Sequence, residues 1–344
     1  MAILKKRKCF NMTDLYIQNS SYSLSVSDRK LMIKNQERTM LKAISLGLID
    51  NILIFGNSQL STQLLKSLSR HGIPVFYFSS KGEFLFSMDS FKEADYEKQR
   101  EQAQASFDKS FCLKMLQRIA SAKIMNQLNL LKAYDEQGLF DEEDFKRFKA
   151  ACESLKSAKS ISEIMGIEGR IAKSYFYYLN LLVEEDFQFY CRNRRPSLDR
   201  FNALLNFGYS ILYSCFIGLI RKNGLSAGFG VTHQPHTHHA VLASDLMEEW
   251  RPVIVDDTVM SLIKHGDIRG EHFERMGDEM HLTSEGIEVF SRAMRERILE
   301  IHHYVELDKN RYTFLYMADQ QVKSLIRCFK SRNADDYISS YTGE

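Results

Sequence analysis

IDNILIFGNSQLSTQLLKSLSRHGIPVFYF, residues 49–78, sets two apolar runs of strand length around one helical segment. Ile49–Phe55 and Pro74–Phe78 are dense in β-branched and aromatic residues, the types that suit a buried extended chain. Between them, Thr62–His71 has helical spacing. Ser61 can accept the free N–H groups at its start, and Gly72 can take the left-handed conformation that stops it. Working outward, short alternating runs predict further strands at Leu15–Gln18, Tyr22–Val26, Leu31–Lys34, Met40–Ser45 and Phe84–Ser87. The reading over residues 1–91 is a small sheet with one helix against it.

Past residue 91 the pattern turns helical, with no proline between Pro74 and Pro196. Amphipathic stretches predict helices over 98–134, 141–157, 169–190, 199–222, 239–249, 253–265, 284–304 and 311–330. The expected fold class is α+β: a small β-rich N-terminal domain with one helix (1–91), then a larger all-α domain (92–344).

Composition narrows the function classes. The 344 residues hold 46 Lys plus Arg against 44 Asp plus Glu, a net charge of +2, so a uniformly basic nucleic-acid coat is excluded. The sum hides an asymmetry: residues 1–80 hold 11 basic and 4 acidic residues, leaving 35 against 40 in the remainder. Four prolines and 17 glycines exclude collagen-like and low-complexity architectures. The six cysteines form no CxxC pair, so a reducing, cytoplasmic setting is expected. The N-terminal MAILKKRKCFNM is basic but lacks the apolar run of a secretory signal. Residues 201–220 carry no charge and are long enough to span a bilayer. However, Asn202, Asn206, Ser210 and Ser214 recur every four residues on one helical stripe, which predicts a buried helix with a polar face and no membrane span.

Three clusters could carry chemistry. His233, His236, His238 and His239 crowd a seven-residue stretch, followed by Asp245-Leu-Met-Glu248-Glu249-Trp-Arg251. On a helix Asp245 and Glu248 share a face. An imidazole with carboxylate oxygens suits Mn2+ or Mg2+, while surface histidines beside a solvated acidic face fit the same pattern. Glu168, flanked by Gly166 and Gly169 where a helix is expected to begin, is either a ligand or a partner of the helix dipole. Arg192, Arg194 and Arg195 precede Pro196, a grouping that matches phosphate but also a plain solvated cluster. Asp199 can cap the helix that follows. No Walker, GxGxxG or kinase signature is present.

Together these segments resemble the CRISPR adaptation integrase, the first of the numbered CRISPR-associated proteins. The resemblance rests on four collinear motifs: Ile52-Leu53-Ile54-Phe55-Gly56-Asn57 with His71-Gly72-Ile73-Pro74-Val75; Gly166-x-Glu168-Gly169-x-x-Ala172-x-x-Tyr175-Phe176; Arg192-x-Arg194-Arg195-Pro196 with Asn202-Ala203-Leu204-Leu205-x-Phe207-Gly208-Tyr209; and Gly230-x-x-His233 with Asp245-Leu246-Met247-Glu248-Glu249. It implies a metal-dependent DNA endonuclease and integrase that joins short DNA fragments to a CRISPR repeat by 3′-hydroxyl attack on a phosphodiester. The ligands implied for Mn2+ or Mg2+ are Glu168, His233 and Glu248, with Asp245 as a supporting carboxylate. It also implies dimerisation through the N-terminal domain and assembly with the small second CRISPR-associated adaptation protein. DNA contacts are expected from Arg192, Arg194, Arg195 and Arg251, with Tyr22 stacking on a duplex end. Two alternatives stay open: a zinc-dependent hydrolase built on His233, His236, His238 and His239, and a non-catalytic DNA-binding assembly subunit.

Overall fold

The computed structural model describes residues 14–17, 21–49, 51–79, 84–88, 95–194, 196–232, 239–304 and 310–340. The chain divides into two compact units, Met1–Lys92 and Glu93–Glu344.

The first unit holds two four-stranded sheets, where the sequence suggested one. Strands β1 (Asp14–Ile17), β5 (Asn51–Phe55), β7 (Val75–Phe78) and β8 (Phe84–Met88) form one sheet in that order, parallel except for β8. The other runs β4 (Met40–Ser45), β3 (Lys30–Lys34), β2 (Ser23–Ser27) and β6 (Gln59–Leu60), with β6 parallel to β2. Helix α1 (Thr62–His71) starts where Ser61 Oγ accepts the Leu64 N–H at 3.2 Å and ends at left-handed Gly72. Residues 52–55 are all buried, as expected of an interior strand in a parallel arrangement. Ile17, Leu24, Leu31, Ile52, Ile54, Leu64, Leu68 and Val75 close the core.

The second unit is mainly helical: α2 (Tyr96–Ser106), α3 (Lys109–Tyr134), α4 (Glu142–Ser157), α5 (Ile161–Leu182), α6 (Arg200–Lys222), α7 (Val241–Met247), α8 (Asp257–Lys264), α9 (Ser284–Leu299) and α10 (Phe314–Ser331). It is not all-α. A hairpin of β9 (Phe273–Met276) and β10 (Glu279–Leu282) and a short pair, β11 (Ile301–His302) with β12 (Tyr312–Thr313), interrupt it. The helices expected at 284–304 and 311–330 therefore lose one end each to strand. The helix expected over 98–134 breaks before Asp108, whose carboxylate caps α3 by accepting the N–H groups of Ser110 and Phe111.

Helix α6 is long and apolar enough to cross a membrane, but 72% of its apolar window is buried inside the protein. Asp199 caps it, accepting the Asn202 N–H at 2.7 Å. Gly208 lets α6 come close to a single wide π-helical turn, Arg251–Asp256. A Cβ there would lie 2.5 Å from Val255 Cγ1 and 3.1 Å from Phe290 Cζ. Such turns re-aim side chains that a regular helix would spread around its circumference.

Candidate active site

A cleft of about 310 Å³ opens between α3, α5, α6 and the π-turn. Glu168 reaches it from within α5. Ser160 caps that helix eight residues earlier, so Glu168 is not at a helix start and the helix-dipole explanation for it lapses. Glu248 follows directly on α7, and Arg251 begins the π-turn.

Between the two carboxylates stands Lys123 of α3. Its Nζ lies 2.6 Å from Glu248 Oε2 and also contacts Glu168 Oε1 directly. Its side chain is 13% exposed. Burial disfavours the ammonium, yet the charges of Glu248 and Glu168 outweigh that and hold its pKa above the ordinary lysine value. Arg251 Nε sits 3.0 Å from the other oxygen of Glu248. Burial opposes the guanidinium's charge as well, and Glu248 more than restores it.

A buried framework holds Arg251. Its guanidinium lies 4.3 Å over the Tyr209 ring, and that of Arg192 lies 5.3 Å over the same ring. Tyr209 and Tyr175 each donate a hydroxyl to Asp256 at 2.6 Å, one to each oxygen. Burial pushes the Asp256 carboxyl up to about 6, against the downward pull of the two hydroxyls. The polar stripe of α6 anchors Arg192, whose guanidinium donates to Asn202 Oδ1 at 2.8 Å and Asn206 Oδ1 at 2.6 Å.

Asp245 and Glu248 do not share a working face. Asp245 is fully buried and accepts the Val231 N–H at 2.6 Å, the Thr232 N–H at 3.0 Å and the Thr232 hydroxyl. Its carboxylate therefore fixes the chain just ahead of position 233. His233 itself, with His236 and His238, lies outside the described residues, as does Arg195. His239 stacks on Tyr213 with ring centroids 5.5 Å apart and meets Ser244 Oγ at 2.8 Å. Arg194 is exposed at the cleft. Tyr22, in the N-terminal unit, packs partly against that unit's core.

Glu249, next to Glu248, is fully buried. It accepts hydrogen bonds from Gln321 Nε2 at 3.1 Å, Tyr337 Oη at 2.8 Å and the Ser340 N–H at 2.7 Å. Burial pushes its carboxyl up to about 8, against those donors.

The donor set fits a hard divalent cation. Two carboxylates from distant segments already turn an oxygen each toward one positive centre, the ligand type that Mg2+ and Mn2+ take. Among the described residues no group of three potential ligands is assembled. Sequence reasoning missed Lys123, Asp256 and the roles of Tyr175 and Tyr209. A signal for Lys123 existed: it shares a helical stripe with Leu116, Ala120 and Gln127, all buried, so a charge there needed a partner.

Fold and site together define an α+β protein whose helical unit gathers carboxylates around a cation position beside an arginine-lined cleft. The family model for CRISPR associated protein Cas1 matches residues 15–296. The CRISPR-associated endonuclease Cas1 of Mycobacterium tuberculosis is 33% identical over 322 residues, covering 93% of this chain and 95% of that protein. Among solved structures, a casposase bound to integration product matches with a TM-score of 0.81 at 25% identity, over 94% of this chain and 92% of that one. A Cas6-RT-Cas1–Cas2 complex matches with a TM-score of 0.83 at 25% identity, over 97% of this chain but 37% of that one. The chain belongs to the Cas1 family of CRISPR-associated proteins.

Proposed function

We propose that this chain is a cytoplasmic, metal-dependent DNA endonuclease and integrase of CRISPR adaptation, working as a homodimer with a Cas2 partner. The observation that carries the reading is the convergence of Glu168 and Glu248, 80 positions apart, on one cation position in an arginine-lined cleft. Likeness to a casposase bound to integration product, to a Cas1–Cas2 assembly and to a named endonuclease supports the reaction class and the partner.

Glu168, Glu248 and His233 would hold Mn2+ or Mg2+. The chemistry an ion held there would supply is polarisation of a phosphoryl oxygen and stabilisation of charge on the leaving 3′-oxygen. The chain's own groups bind and orient. Arg251, held over Tyr209, keeps Glu248 in place, and Asp245 fixes the approach to His233. Arg194 offers its guanidinium to DNA phosphates, a sequence-independent contact suited to fragments of many sequences. Arg192, Arg195 and Tyr22 complete the proposed DNA contacts; Arg251, expected among them, is instead committed to Glu248.

The test is integration of a short duplex into a supercoiled plasmid carrying the repeat, with Mn2+ or Mg2+ and an EDTA control. Glu168→Ala, His233→Ala and Glu248→Ala are each expected to lose product by about 100-fold or more. Wild-type product from any of these variants removes that residue from the site. Full activity in EDTA removes the metal.

A further inference from the structure

We propose that Lys123 is a built-in competitor for the metal ion, occupying the cation position in the metal-free protein and leaving it when the metal binds. The inference rests on the metal reading above and adds the competitor.

The ammonium is not a surface group that happens to reach two acids. It rises from the buried stripe of α3 and makes its contacts with both carboxylates inside the cleft. It takes Glu168 Oε1 and Glu248 Oε2, while Arg251 takes Glu248 Oε1. Glu168, Glu248, Lys123 and Arg251 thus carry two negative and two positive charges. A divalent ion bound through both carboxylates sits about 2.1 Å from each ligating oxygen. The space between the two oxygens cannot hold that ion and the Lys123 ammonium together. Metal binding and the Lys123 pairing are therefore mutually exclusive, and the apparent affinity for metal falls by the fraction of molecules in which the pairing is formed. The pairing keeps the two acids from repelling each other. Once displaced, the ammonium is a free cation in the cleft.

The experiment uses metal-stripped full-length protein and Mn2+ alone, with bound ion read from loss of the free Mn2+ electron paramagnetic resonance signal. Lys123→Met is expected to bind Mn2+ about ten-fold more tightly than wild type, and Lys123→Arg to stay near wild type. Equal or weaker binding by Lys123→Met overturns the inference while leaving the metal site intact. Glu168→Gln and Glu248→Gln separate the two claims: if both bind Mn2+ as the wild type does, the metal reading fails and the competitor fails with it. A second measurement needs no substitution. Acetylation of Lys123 in the wild-type protein, followed by mass spectrometry, is expected to speed up about ten-fold when Mg2+ is added, because the amine loses its partners. Unchanged reactivity overturns the inference.

Discussion

Replacing Gly208 with alanine tests whether the close approach of α6 to the π-turn holds the site. The new Cβ would lie 2.5 Å from Val255 Cγ1 and 3.1 Å from Phe290 Cζ, and both neighbours are fully buried. Overpacking of that depth costs about 3 kcal/mol. Alanine returns about 1 kcal/mol in helix propensity, leaving a net loss of about 2 kcal/mol. Val255→Ala alone removes two buried methyl groups, a loss of about 2 kcal/mol. In the double variant the new methyl enters the space that valine vacated. The pair should lose about 1 kcal/mol instead of the additive value of about 4 kcal/mol. Trp250, the single tryptophan and fully buried in the helical unit, reports that unit's unfolding in urea by its fluorescence. A single variant as stable as wild type, or a strictly additive pair, would show that Gly208 and Val255 do not share a tight contact. Activity should follow the same order, because Tyr209 adjoins Gly208 and its hydroxyl bond to Asp256 crosses the same contact.

Other expectations follow from the surrounding groups. Tyr209→Phe leaves one buried oxygen of Asp256 without that donor, costing about 2 kcal/mol and raising the carboxyl further above about 6; a carboxyl NMR titration showing no rise counts against the framework. Burial raises Glu249 from 4.5 to about 8, so the folded chain keeps a proton that the unfolded chain releases. Its stabilising contribution is full below 4.5 and is lost as pH rises through about 8. Glu249→Gln should flatten that decline in urea midpoints, and an unaltered pH slope in the variant would count against it. Asp245→Asn turns a carboxylate that accepts two backbone N–H groups into a weaker acceptor. It should lower integration while leaving Glu168 and Glu248 in place, and wild-type rates would dismiss the positioning role. Finally, DNA affinity should fall steeply with salt, and Arg194→Ala should reduce the log–log slope by about 1; a flat salt response would contradict phosphate-led binding.

Local chemistry written in adjacent residues was legible. Ser61 and Gly72 bound α1 as expected, Asp199 caps α6, and the two apolar runs of residues 49–78 are interior strands. Features set by distant partners were not. Strand β6 is two residues long and exists because β2 lies beside it. Gly166 and Gly169 suggested a boundary, but α5 runs through both, since a capped and partly buried helix tolerates them. The hairpin at Phe273–Leu282 turns at left-handed Gly277, a signal lost among surrounding charged residues. In the site, carboxylates stood out by type and spacing. Their counter-ions did not: sequence reasoning misses Lys123 and places Arg251 on DNA, because both pair with Glu168 or Glu248 only when α3 and the π-turn meet them.

The bonds of Glu249 carry a consequence for how the protein is made. Its partners Tyr337 and Ser340 lie 88 and 91 residues downstream. At about 5–20 residues per second, a ribosome needs roughly 5–20 seconds after making Glu249 before it has made Ser340. During that interval the helix end bearing Glu248 lacks the segment that seals its neighbour from water. The cleft is thus finished late in synthesis, and a chain ending before Tyr337 carries Glu168 and Glu248 with the burial of Glu249 left incomplete.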